Sequence, residues 1–159
     1  MKTVFLFSPS RLRKMLAALW FLCVPLIALS AQSAALEIEE LLASRAVTYA
    51  QASRFVLEAA DVAAFGDPVQ AFYFARQQNW LPRGASAHEQ AQLNGISLLL
   101  MRSFGLHGGF MFALTGAPCF AYREMEHKGF INGRASPRQM VSGEALLYLT
   151  GRIIRLLEY

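Results

Sequence analysis

Apolar residues along the chain recur at helical spacing far more clearly than at strand spacing. Leu41, Leu42, Val47, Ala52, Phe55, Val56 and Ala59 trace an imperfect stripe, which predicts helix across 36–62 with a possible break at Ser44. Glu37, Glu39 and Glu40 sit near its start, where the helix dipole favours negative charge. A second helix is expected from Asp67 as N-cap and Pro68 at the first position, running through Val69, Phe72, Tyr73 and Ala75 to a stop at Asn79. Residues 80–92 read as a loop, with Asn94 as cap of a helix from Gly95 to Phe104 and Gly105 as its left-handed terminator. Gly108-Gly109 invites a turn, and Phe110 to Leu114 is too short to classify by period. Pro118 opens another helix that Gly129 closes, and Ser142 caps the last one, with Leu146, Leu147, Leu149, Ile153, Leu156 and Leu157 apolar. Strand signals are weak: a sheet would amount to residues bridging the loops near Leu81 and Ile131. The predicted fold class is all-α.

Two stretches of this pattern repeat. Trp80-Leu81-Pro82-Arg83-Gly84-Ala85-Ser86 leads to Leu93-Asn94-Gly95 and an apolar helix, and Phe130-Ile131-Asn132-Gly133-Arg134-Ala135-Ser136-Pro137 leads to Val141-Ser142-Gly143 and another. Ser86 pairs with Ser136 at an offset of 50, whereas pairing Gly95 with Gly143 gives 48 and a first loop two residues longer. Repeated supersecondary units normally stack, because neither buries its apolar face alone. The expected organisation is repeat units at about 68–105 and 118–159, with a possible degenerate unit at 36–62, in one domain of 36–159.

The N-terminal 35 residues stand apart. Lys2, Arg11, Arg13 and Lys14 precede the apolar run Met15 to Leu29, and Ala31-Gln32-Ser33 and Ser33-Ala34-Ala35 offer small-residue cleavage sites. This is the layout of a secretory signal peptide, too short and too interrupted by Pro25 for a spanning helix. It implies export to the periplasm or cell envelope, with the membrane involved only through that signal. The chain's 15 Lys+Arg against 11 Asp+Glu include four cations before residue 15, so the rest carries 11 of each. The basic balance belongs to the export signal, and no electrostatic footprint for nucleic acid remains. Past the signal only Cys119 is left, read as a small buried apolar side chain beside Phe120.

The residues resemble a family, the S-layer homology modules of exported bacterial proteins. Glu124 to Pro137 is similar to the family's helix end, its Gly-Ile-Ile-x-Gly turn and the following loop, and Val141-Ser142-Gly143-Glu144-Ala145-Leu146 to its second-helix start, usually Thr-Arg-Ala-Glu. Residues 71–104 form a poorer copy, and Ser44-Arg45-Ala46-Val47 a remnant of a third. The pattern is closest to diverged modules of this kind exported by diderm bacteria such as spirochaetes. The resemblance implies helix-loop-helix units in one small domain and noncovalent attachment to cell-wall polymers through grooves between units. It also implies roles for a helix-start Arg and acidic residue. Glu144 stands at the acidic position where Gly143 replaces the Arg, Arg45 stands at the Arg position where Val47 replaces the acid, and Gly95 and Ile96 replace both in the middle copy.

The candidate ligand-binding residues are Arg134, Glu144, Arg45, Arg83, Arg138 and Ser142, and their candidate ligand is peptidoglycan or a wall-linked glycan. Gly95 and Gly143 read as close-packing positions, and Trp80 and Phe130 as equivalent core wedges. The alternative function is a structural subunit or adapter of a larger periplasmic assembly, docking through Phe110 and Phe112. His88, His107 and His127 lack metal-ligand spacing, so no metal or cofactor is expected. A Cys119/His127 pair lacks an orienting third group, so the chain is not expected to be an enzyme.

Overall fold

The computed structural model describes Leu36, residues 38–132 and residues 135–158. The expected signal peptide therefore lies outside the described residues. The chain divides into two units, 1–40 and 41–159. Of the first, Leu36 and residues 38–40 are described and are helical.

The second unit is a small all-α domain. After helical residues 41–43, it contains α1 (Tyr49–Ala59), α2 (Pro68–Gln77), α3 (Leu93–Ser103), α4 (Phe110–Thr115), α5 (Pro118–His127) and α6 (Gly143–Leu157). No strand occurs among the described residues. The expected break near Ser44 is present, but the cap of the next helix is Thr48. Its hydroxyl accepts the Gln51 N–H while the Gln51 side chain receives the Thr48 N–H, a reciprocal capping box. Asp67 caps α2 with Pro68 behind it, and Asn79 follows the helix in left-handed conformation at φ 58°. Gly105 ends α3 at φ 62°, the left-handed terminator expected there, and Gly129 closes α5 in the same conformation at φ 74°.

α1 packs against α2, α3 and α6, and α3 packs against α5. Leu93, Ile96, Leu98, Leu99, Leu100 and Met101 of α3 are all buried. A helix apolar on every face belongs at the centre of its domain, and α3 occupies that place.

The outer pair, α2 and α5, are copies at an offset of 50. Pro68 and Pro118 both start helices, Ala71 and Ala121 are both fully buried, and the N–H groups of Trp80 and Phe130 donate to the carbonyls of Ala75 and Met125, each at 2.9 Å. Phe130 is 4% exposed, and Trp80 packs on the core half-buried. The same offset continues past the loops: Gln92 and Ser142 are the caps of α3 and α6, and Ile96 and Leu146 are both fully buried. The expected two-residue difference between loops is therefore wrong. Asn94 is not a cap but the second residue of α3. The counterpart of Gly95 is Ala145, not Gly143. Each glycine answers to a different neighbour, Gly95 to Tyr49 and Gly143 to Leu41, so the two are not equivalent.

Candidate functional site

The three inner helices α1, α3 and α6 begin around one closed ring. The N–H of Val47 donates to the carbonyl of Val141 at 2.9 Å, that of Val141 to Ala91 at 3.0 Å, and that of Ala91 to Val47 at 2.8 Å. All three residues are buried. Isolated antiparallel bridges, Thr48 with Gln90 and Gln92 with Met140, flank this ring in place of the pairing expected near Leu81 and Ile131.

The ring organises the helix starts. A helix leaves its first N–H groups without intrahelical partners, and here the loop of the next unit supplies them. Tyr49 and Ala50 donate to Glu89 and Ala87, Leu93 and Asn94 donate to Gln139 and Pro137, and Gly143 donates to Ser44, all at 2.9 to 3.0 Å. α3 needs no side-chain cap for this reason, whereas Ser142 additionally accepts the Ala145 N–H at 3.2 Å. The segment around Ser44 thus serves the start of α6 as the other two loops serve α1 and α3.

Both close-packing glycines sit at these seams. A β-carbon on Gly95 would meet the Tyr49 ring, whose Cε1 lies 2.8 Å away; one on Gly143 would run into the Leu41 carbonyl. The Tyr49 hydroxyl accepts the Gln92 N–H at 3.3 Å. Burial pushes the Tyr49 phenol up from its ordinary value of 10.0, the Gln92 hydrogen bond pulls it down, and nearby Glu89 raises it further.

The expected ligand residues do not converge. Arg45, Arg83, Arg138 and Glu144 are exposed at separate helix starts and loops, Ser142 is engaged as a cap, and Arg134 lies outside the described residues. One of them does line a cavity. Arg83 borders a polar groove of about 650 Å³ between the loop after α2, the end of α3 and the start of α5, with Asn79, Arg102 and Thr115 also on its walls. Among the described residues no carboxylate lines it, so Arg83 and Arg102 set its charge. Arg102 is held in place: its guanidinium stacks 4.9 Å from the Phe112 ring centroid, over Gly116, where a β-carbon would come within 2.8 Å of the guanidinium nitrogen. The start of α5 contributes backbone, and Ala117 gives it no side-chain cap. Arg102 sits at the end of the otherwise apolar α3, and the Gly116 turn at φ 58° brings α5 beside it.

A second cavity, about 170 Å³ and mainly apolar, lies between the first residue of α3, the loop 130–141 and α6. That loop is tied down by the Tyr122 hydroxyl, which donates to the Ala135 carbonyl at 2.6 Å.

Two further expectations need correcting. Phe112 is 4% exposed and belongs to the core, while Phe110 at 74% and Leu114 at 69% face outward. The six-residue α4 turns Phe112 inward, so Phe112 cannot dock a partner. Cys119 is exposed rather than buried. It lies near the start of α5 and His127 at its end, roughly 12 Å apart along the axis at 1.5 Å rise per residue, so the two cannot act as a pair. Among the described residues no group of His, Cys, Asp and Glu could hold a metal ion, and no helix is long and apolar enough to cross a membrane.

The chain matches no family model, no curated protein and no solved structure.

Proposed function

We propose that the protein is a non-catalytic, exported module of the S-layer homology type that binds an acidic cell-wall polymer at the envelope, with the Arg83/Arg102 groove as the recognition surface. The observation that carries this reading is a groove lined by Arg83 and Arg102 with no carboxylate among the described residues of its walls. Guanidinium forks suit the carboxylate or phosphate groups of wall glycans. Its volume matches sites for small ligands or short polymer segments. Cyclic capping of helix starts by neighbouring loops supports the repeat reading, since each unit depends on the next for its hydrogen bonds.

Co-sedimentation with purified sacculi and released wall glycans tests it. The wild-type protein pellets with one of these fractions, binding weakens with added salt, and the double variant Arg83→Gln/Arg102→Gln loses at least tenfold in affinity. A folded wild-type protein that stays in the supernatant with every fraction would reject the reading.

The second reading, an adapter in a larger envelope assembly, is favoured by Phe110, Met111 and Leu114, which leave an apolar face of α4 exposed. It predicts assembly loss in Phe110→Ser with glycan binding unaffected.

A further inference from the structure

The cavity between α3, α6 and the loop 130–141 has a filled counterpart in the same molecule. At the α1/α3 seam, the first residue of α1, Tyr49, lays its ring across Gly95, the third residue of α3. At the α3/α6 seam the same two places are held by Leu93, first in α3, and Ala145, third in α6, and both line the 170 Å³ cavity. The space that a tyrosine closes at one seam is left open at the other, where leucine is too short to reach across. A cavity of about 150 Å³ accommodates a benzene ring, so the volume fits one aryl side chain.

We propose that this pocket takes the phenol ring of a tyrosine presented by a partner polypeptide. Phe130 and Ile131 form an apolar floor, which suits the ring face. Met140 and Tyr148, 44% and 54% exposed, extend apolar surface beyond the mouth, and methionine adapts its shape at recognition surfaces. The exposed amides of Asn132 and Gln139 stand on the same rim, where a polypeptide backbone would pass. A polypeptide uses this rim, whereas a free phenol would use only the floor. The proposal rests on the repeat geometry and is independent of the glycan reading.

The test is methyl NMR on methionine-labelled protein, titrated with p-cresol and with N-acetyl-tyrosinamide. Both should shift the Met140 methyl saturably, with Kd on the order of 1–10 mM for so small a probe, and the amide should bind at least as tightly. Met111, which lies outside the pocket, should stay still. Leu93→Tyr combined with Ala145→Gly, which reproduces the tyrosine–glycine pair of the α1/α3 seam, should abolish both shifts in a folded protein. If that variant misfolds, Leu93→Phe or Ala145→Leu serves as the block. A silent Met140, or shifts that survive the blocking variant, would overturn the pocket. Binding of p-cresol with exclusion of the amide would overturn the polypeptide partner and leave a site for free phenols.

Discussion

The ring of Tyr49 occupies the space a side chain on Gly95 would need, and its hydroxyl accepts the N–H of Gln92, the residue that caps the same helix. One side chain from α1 therefore both excludes a β-carbon from α3 and satisfies its first turn. Gly95→Ala should cost about 1–3 kcal/mol by overpacking. The α3/α6 seam shows a tolerated alternative in Leu93 and Ala145, so Tyr49→Leu added to Gly95→Ala should recover at least about 1 kcal/mol. Urea unfolding of the two singles and the double checks this coupling; strictly additive losses would contradict it.

Gly143 should be less forgiving. Its missing β-carbon faces the Leu41 carbonyl and the Leu42 backbone nitrogen, the latter at 3.2 Å, so no side chain can swing away. Gly143→Ala should lose more than about 3 kcal/mol, beyond the usual overpacking penalty. A thermal melt within a degree or two of wild type would contradict the fit.

Stability should fall at alkaline pH, and Tyr49 should carry part of that fall. Its folded phenol titrates above its ordinary value of 10.0, chiefly through burial. The unfolded chain then releases this proton first, so the folded state loses ground as pH rises past about 10 until the folded group also ionises. Tyr122 is shifted the same way by burial and by Glu126. Tyr49→Phe should flatten the decline without abolishing it, at a cost near 1 kcal/mol at neutral pH for the lost hydrogen bond. Denaturation midpoints from pH 8 to 11 give the comparison.

The two phenylalanines of α4 should separate cleanly. Phe112→Ala removes a buried ring that also supports Arg102 and should cost about 3 kcal/mol or more. Phe110→Ser changes an exposed side chain and should stay within about 0.5 kcal/mol of wild type. Equal effects on unfolding would mean α4 is not seated as described.

Local chemistry made much of this architecture legible in the sequence. Asp67-Pro68, Gly105, Pro118, Gly129 and Ser142 each announced a helix end, because caps and left-handed terminators depend on the residue in place. The α3 start was misplaced because Gln92 caps nothing with its own side chain. Its helix borrows carbonyls from Gln139 and Pro137, some 45 residues away, and no local pattern records such a debt. For the same reason the sequence around Ser44 carries little local signal, although its carbonyl accepts the Gly143 N–H. Of the candidate residues, Arg83 stands in a loop that the sequence delimits and lines the groove, whereas Arg102 and Thr115 reach the same groove only through the turn at Gly116.

We propose that recognition resides in the groove between Arg83 and Arg102. Backbone NMR of the labelled domain, titrated with a soluble acidic wall-glycan fragment, tests it directly. Saturable shifts confined to Asn79, Arg83, Arg102, Thr115 and Gly116, and lost in Arg83→Gln/Arg102→Gln, are expected. Shifts gathered instead around Arg45 and Glu144, or a spectrum indifferent to every acidic fragment at millimolar concentration, would contradict it.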